Sequence, residues 1–135
     1  VPYAITYFYN VYGGREISYG KYATLIALFI KKYKNGEKLT VVSPGTQKRN
    51  FTHINDIIDG IVLVGEKGNG DEYGIGNKQA YTILEIAKMF NSEIEMLAER
   101  KGNRMTASVV THKTEALGWS AKASVSEYIK RQLTQ

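Results

Sequence analysis

The chain has 135 residues, 43% of them hydrophobic and 23% charged, which suffices for one domain with a real core and argues against wholesale disorder. It has no cysteine, which excludes a disulfide framework, a thiolate metal site and a thiol nucleophile, and its longest apolar run (23–30) stops at Lys31 and Lys32, well short of the ~20 residues that cross a bilayer. A net charge of +5 suits a polyanionic partner (nucleic acid, an anionic membrane or a nucleotide diphosphate) but equally serves plain solubility, so spacing has to decide.

The first residues show no ordered basic, apolar and small-residue segments of a secretory leader, so a soluble, cytoplasmic protein is expected. Tyr3 to Tyr9 are β-branched and aromatic and read as a strand with no neighbour in sequence to pair with. Asn10 to Gly20 reads as a loop carrying Gly13 and Gly14. From Ala23 to Tyr33, the residues Ile26, Phe29, Ile30 and Tyr33 recur at helical spacing, and Asn35-Gly36 ends that helix. Leu39 to Val42 is a short strand closed by the turn pair Pro44-Gly45.

Phe51 to Ile54 reads as extended, with Asn55-Asp56 capping a helix whose apolar positions are Ile57, Ile58, Ile61 and Val62. Glu72 to Ile75 is a second strand without a sequence neighbour. Thr82 and Glu85 form a capping box ahead of a helix lined by Ile83, Ile86, Ala87 and Phe90. Ile94 to Leu97 is strand-like, a helix near His112 to Ala116 ends at Gly118, and Ser124 with Glu127 reads as a second capping box before Tyr128 and Ile129. The order is mixed α/β without repeats, and the strands at the start and near Tyr73 look like members of a larger sheet. They are expected to pair with each other in parallel, or between molecules, because unpaired edges invite pairing.

The chemistry-bearing residues are sparse. His53 and His112 are the only histidines and neither has a metal-ligand spacing. His53 alternates with apolar neighbours, which suggests a packed or hydrogen-bonded ring. Gly74-Ile-Gly76 lacks the third glycine of a dinucleotide loop and reads as a turn. No tyrosine is followed four places later by lysine; Tyr33 meets Glu37 and Tyr73 meets Asn77. Two basic segments remain: 47–50, with Arg49, and 99–104, with Arg100 and Arg104. Arginine forks suit phosphate oxygens, so the two segments could converge on one diphosphate; alternatively they are solvated loops.

Taken in order, the pieces resemble a known family. Thr6-Tyr-Phe-Tyr-Asn10-Val-Tyr-Gly13 resembles the "Arg-Tyr-Phe-Asn-Val-Tyr-Gly-Pro" segment of extended short-chain dehydrogenase/reductases that act on nucleotide sugars. The stretch from Leu39 through Gly45-Thr-Gln-Lys-Arg49-Asn-Phe-Thr-His-Ile-Asn-Asp56 is similar to that family's "Gly-x-Gln-x-Arg-Asp-Phe-x-His-Val-x-Asp" region. Tyr73-Gly-Ile-Gly76, Arg100-Lys-Gly-Asn103 and Leu117-Gly-Trp119 resemble its "Tyr-Asn-Ile-Gly", "Arg-x-Gly-Asp" and "Leu-Gly-Trp". These landmarks come in the right order and span nearly the whole chain.

The resemblance implies an α/β fold: residues 1–135 as the C-terminal substrate-binding lobe of a UDP-glucose 4-epimerase-like enzyme, with two strands that belong to a Rossmann sheet. It implies that Tyr9 touches the nicotinamide end of NAD and that Asn10 binds the substrate diphosphate. Arg49 and Arg100 take the places of arginines gripping the phosphates and ribose. Asn103 stands where the family has an aspartate accepting from the ribose hydroxyls, and asparagine also accepts. Ala23, Thr24, Thr40, Val41 and Val42 fall near positions that pack around base and sugar. Gly14, Thr6, Asn50 and Gly74 replace the family's proline, arginine, aspartate and asparagine, which leaves the exact substrate open.

The family's Gly-rich NAD loop and catalytic Tyr-x-x-x-Lys precede the point at which this sequence begins. The chain by itself is therefore expected neither to bind NAD tightly nor to turn over a nucleotide-diphosphate sugar. The expected activity of the whole enzyme is 4-epimerisation through transient oxidation at the sugar's C4, with a 4,6-dehydratase as the alternative. A stand-alone nucleotide or nucleic-acid binding module is the reading from another class; nucleic acid is the disfavoured partner because most of the ten tyrosines occupy core or half-core positions. A homo-oligomer through the unpaired strands is a further expectation.

Overall fold

The computed structural model describes residues 2–20, 23–100 and 110–134. Their elements run β1 (Ala4–Tyr7), β2 (Val11–Tyr12), α1 (Leu25–Lys34), β3 (Leu39–Val42), β4 (Lys48–Asn50), β5 (Thr52–His53) and α2 (Ile54–Lys67). The chain continues through β6 (Gly70–Gly74), β7 (Ala80–Thr82), α3 (Ile83–Lys88), β8 (Ile94–Leu97), α4 (His112–Glu115) and α5 (Val125–Leu133). No helix among them is long and apolar enough to cross a membrane.

The strands pair two by two: β1 with β6, β2 with β5 and β3 with β8 in parallel, and β4 with β7 antiparallel. The two strands without sequence neighbours thus find each other, with Thr6 opposite Tyr73 and Tyr7 opposite Gly74. An oligomer through them would have to use their outer edges. β1 is shorter than its β-branched run because Asn10 takes a φ of 53°, a left-handed turn that asparagine tolerates, and swings the chain toward β2. One face of β1, through Ala4 and Thr6, is half-buried, while Ile5 and Tyr7 on the other remain about two-fifths exposed (40% and 41%).

The main core is where the helical periodicities meet. Ile26 and Phe29 of α1, Leu39 and Val41 of β3, Ile86 and Ala87 of α3, and Val125 and Ile129 of α5 close around Tyr12, Phe51 and Phe90. Phe29 and Phe90 meet edge to face at 5.7 Å, the arrangement favoured by the ring quadrupoles. Burial of each such large side chain stabilises the fold by about 1.5–3 kcal/mol. A smaller cluster joins Ile57 of α2, Ile75 and Trp119.

Several sequence expectations are corrected. α2 is capped by His53, whose Nδ1 accepts the Asn55 backbone N–H at 3.0 Å, and Asn55-Asp56 already lies inside the helix. The buried positions of α2 are Asp56, Ile57, Gly60 and Val64, whereas Ile58, Ile61 and Val62 are exposed, because the side through Ile57 and Gly60 is the one that meets Ile75 and Trp119. The Thr82–Glu85 capping box forms in full, but Ser124 makes no side-chain cap bond on α5. Residues 48–50, read as a loop, form β4, and Val11–Tyr12 forms β2. Both are short polar or turn-flanked strands recruited by distant partners rather than by their own periodicity.

Candidate functional site

Two openings compete for a role. The larger, about 530 Å³, is lined by Tyr7, Tyr9, Asp71, Glu72, Gly74, Val110 and His112. Its carboxylates make it a poor receptacle for an anion: Asp71 is held below the usual carboxylate range by the Tyr7 hydroxyl and the Glu72 backbone N–H. The other opening, about 360 Å³, lies between α1, β3, β4, α3 and the end of β8, and two arginines stand on its wall.

This second cavity brings together most of the residues singled out from sequence. Asn10, Thr40, Val41, Val42, Arg49 and Arg100 all line it. Asn10 reaches it through the left-handed turn after β1, fixed where the Asn10 carbonyl accepts the Thr52 N–H at 3.2 Å. Arg49 is carried by β4, directly opposite Tyr81 of β7, with its Nη1 donating to the Lys48 carbonyl at 2.8 Å. Arg100 follows β8, whose parallel ladder sets Leu97 beside Val42. Two segments about fifty residues apart therefore present guanidinium groups to one space because β3 stands between them.

The turn from β3 to β4 is tightly specified. Gly45 has a φ of 74°, and a Cβ there would come within 2.8 Å of Val41 Cγ1. Its carbonyl accepts the Leu84 N–H at 3.0 Å, which seats α3 against the turn. Asn50 closes the other side, donating from Nδ2 to the Asn77 carbonyl at 2.7 Å, while the Asn77 N–H donates to Thr52 Oγ1 at 2.9 Å. The Lys32 ammonium donates to Thr40 Oγ1 at 3.1 Å, adding a cation at the edge of the same wall.

The remaining expectations fall elsewhere. Ala23 and Thr24 are not on the cavity wall: Thr24 is the N-cap of α1 and its hydroxyl donates to Glu16 Oε1 at 2.8 Å. The next residue, Leu25, and Leu28 one turn on line the cavity instead. Burial pushes the Glu16 carboxyl up, partly offset by that hydroxyl and by the Gly13 backbone. Tyr9 is 54% exposed and faces the larger opening instead. Asn103 lies outside the described residues.

Sequence reasoning passed over Gln47, Phe51, Ile83 and Leu97, which also line the cavity. A signal was present for two of them. Residues 47, 49 and 51 alternate along an extended segment, so their side chains share one face. His53 sits outside the site, its ring edge to face with Tyr12 at 5.2 Å and with Tyr128 at 5.7 Å. Among the described residues no group of His, Asp or Glu is placed to hold a metal ion. What the cavity offers is an apolar wall (Leu25, Leu28, Val41, Phe51, Ile83) with cationic groups beside it, a shape that suits a flat apolar-faced group joined to phosphates.

Residues 1–76 match the model of the NAD dependent epimerase/dehydratase family. The chain is 32% identical over 127 residues to UDP-glucuronic acid decarboxylase 5 of Arabidopsis thaliana, covering 88% of this chain and 36% of that protein. It is 30% identical over 146 residues to the dTDP-D-glucose 4,6-dehydratase of Bos taurus, covering 98% of this chain and 40% of that one. The UDP-glucose 4-epimerase of Thermotoga maritima, solved with UDP-glucose, superposes with a TM-score of 0.90 at 26% identity, covering 99% of this chain and 45% of its own. The chain thus spans less than half the length of these relatives.

Proposed function

The chain belongs to the NAD-dependent epimerase/dehydratase family, and from that premise we propose that it is the nucleotide-sugar-binding portion of a UDP-sugar 4-epimerase. The observation that carries the proposal is the convergence of Asn10, Arg49 and Arg100 on one cavity with an aliphatic interior. Two guanidinium forks match a diphosphate better than a single phosphate, and the apolar interior suits the base. In this reading Arg49, Arg100 and Asn10 hold the diphosphate, and Thr40 to Val42 with Leu25 and Leu28 enclose the nucleoside. The sugar then extends toward the end of β1. Fixing the nucleotide lets the sugar present its C4 repeatedly in one geometry.

The family is NAD-dependent. When bound, the dinucleotide supplies hydride exchange at the sugar carbon. The residues described here fit one contact with it: Tyr9, exposed just past the C-terminal end of the parallel strand β1, where ligands of open α/β sheets sit. No tyrosine in the sequence has a lysine four places on. In our reading the dinucleotide is held chiefly by the portion of the relatives that this chain does not cover. The bare face of β1, with Ile5 and Tyr7, supports the same view, since parallel strands are normally covered on both faces.

A 4,6-dehydratase is the second reading, favoured by the 30% identity to the Bos taurus enzyme over nearly the whole chain. Both readings share the nucleotide-sugar site. Calorimetric titration of the chain with UDP, NAD and a single-stranded oligonucleotide tests the common part. UDP is expected to bind and NAD to show no comparable affinity; salt-sensitive oligonucleotide binding with no response to UDP would overturn the proposal. Epimerase turnover by the purified chain would overturn its assignment as a binding portion alone.

A further inference from the structure

The pair β1–β6 has two outer edges, and the fold treats them differently. On β6 the edge is closed. The Gly74 carbonyl accepts the buried Thr114 hydroxyl at 2.6 Å, the Asp71 carbonyl accepts from the Lys113 ammonium at 2.5 Å, and Glu72 kinks the strand with a φ of 75°. Charge, a kink and a covering helix are devices that stop a strand edge from pairing. β1 has none of them. Residues 1–14 carry no charged side chain, and the strand itself holds neither proline nor glycine.

The Tyr3 and Tyr7 carbonyls face β6, where they accept the Gly70 and Ile75 N–H groups at 2.9 and 2.8 Å. Backbone direction alternates along a strand, so the N–H and C=O of Ala4 and of Thr6 point outward, and no other strand among the described residues pairs with them. Antiparallel pairing of β1 with itself, centred on Ile5, sets Ala4 opposite Thr6 of a second copy and gives every one of these outward groups a partner. In that register Tyr3 falls opposite Tyr7, and Ile5 opposite its own copy. These side chains share one face and are 64% (Tyr3), 41% (Tyr7) and 40% (Ile5) exposed; aromatic and β-branched pairs of this kind stabilise a sheet. A twofold axis through the sheet keeps both α2 helices on its other face. There the exposed Ile61 of α2 lines a groove of about 310 Å³ with Ala4 and Thr6, and the second copy closes it.

The geometry points to self-association of this chain as a twofold dimer through the outer edge of β1, antiparallel and centred on Ile5, which joins the two copies in one continuous four-stranded sheet. The occupant of the edge is a second copy because β1 complements itself: it is uncharged, and its outward backbone groups and its exposed side chains all find partners in a single register. The dimer is independent of the nucleotide reading, whose cavity is walled by α1, β3, β4 and α3.

Sedimentation velocity over a range of concentrations tests it. The unaltered chain is expected to pass from monomer to dimer as concentration rises, and Ile5→Lys to need roughly tenfold more protein for the same shift. Val62→Lys, at an exposed position that lines the groove beside Trp119 instead, should behave as the parent. Single cysteines read the register, since the chain has none of its own. Residues opposite each other at a non-hydrogen-bonded site have Cα atoms about 4.5 Å apart, within reach of a disulfide. Ile5→Cys is therefore expected to oxidise to a covalent dimer much faster than Val62→Cys. A parent that stays monomeric at every concentration overturns the proposal. So does a dimer that Ile5→Lys leaves intact, or one in which the two cysteines cross-link alike. The parent and cysteine arms stand even where Ile5→Lys folds poorly.

Discussion

Asp56 holds the chain on both sides of residue 122: its Oδ2 accepts the backbone N–H of Ala123 at 2.9 Å and that of Lys122 at 3.0 Å. Its own carbonyl accepts the indole N–H of Trp119 at 2.9 Å. A single buried residue in the first turn of α2 thus anchors the segment that leads into α5, and α5 in turn packs Val125 and Ile129 into the core that walls the cavity. The family-like "Asn-Asp" after His53 is, in this structure, a tether and not a helix cap.

Asp56→Ala is expected to destabilise the chain by about 1–3 kcal/mol, because two part-buried backbone donors lose their carboxylate acceptor. Asp56→Asn, which keeps one acceptor oxygen, should lose less. Urea unfolding followed by tryptophan fluorescence reads both, since the single Trp119 sits at the tether. Equal stability of Asp56→Ala and the parent would refute the role.

Gly60→Ala should also destabilise, contrary to the usual gain of replacing a glycine inside a helix. A Cβ at Gly60 would lie 2.8 Å from Ile75 Cγ2 and 3.1 Å from Trp119 Nε1. Relieving that overlap means moving the Ile75–Trp119 cluster, a change that typically costs about 1–3 kcal/mol. At exposed Gly65, where a Cβ meets nothing within 4 Å, the same substitution should be neutral or stabilising. Thermal unfolding of the two variants side by side decides it.

The capping box on α3 gives a pH signature. The Thr82 backbone N–H, followed by the Thr82 hydroxyl contact, holds the Glu85 carboxyl below its ordinary 4.5. A carboxyl lowered in the folded state adds stability that is complete above its unfolded value and is lost as pH falls through the lowered one. The stability difference between the parent and Glu85→Gln should therefore be constant above about pH 5.5 and shrink below pH 4.5. Thr82→Ala, which removes the hydroxyl that accepts the Glu85 N–H, should cost about 1 kcal/mol near neutral pH. A difference that grows on acidification would contradict this assignment.

Arg49→Ala is expected to weaken UDP and inorganic pyrophosphate by a similar factor, roughly ten- to a hundredfold, since it removes a charge-assisted contact to phosphate. Arg49→Lys should restore only part of the loss, because an ammonium cannot make the bidentate fork. Selective loss of UDP with pyrophosphate unaffected would place Arg49 at the base instead. Calorimetry at two salt concentrations separates the electrostatic share.

Much of this was legible from residues alone. The 3.6-residue stripes of α1 and α3, the Thr82–Glu85 box and the β-branched run of β3 name their elements, because each is decided by near neighbours in sequence. The ordered landmarks from Asn10 to Trp119, with Arg49 and Arg100 among them, were enough to select the family. Local pattern failed where a distant partner sets the outcome. β4 and β2 are strands only because β7 and β5 pair with them, and the buried stripe of α2 is whichever one meets Ile75 and Trp119. Thr24 gives its hydroxyl to Glu16, and Leu25 and Leu28 line the site instead. Gln47 carries no motif of its own; only folding reveals that its oxygen is buried and unpaired beside Arg49. The sequence by itself therefore determines the elements and the chemistry available, through local periodicity and residue type. The tertiary structure decides which groups meet in one cavity, because burial and hydrogen-bond satisfaction depend on segments far apart in the chain.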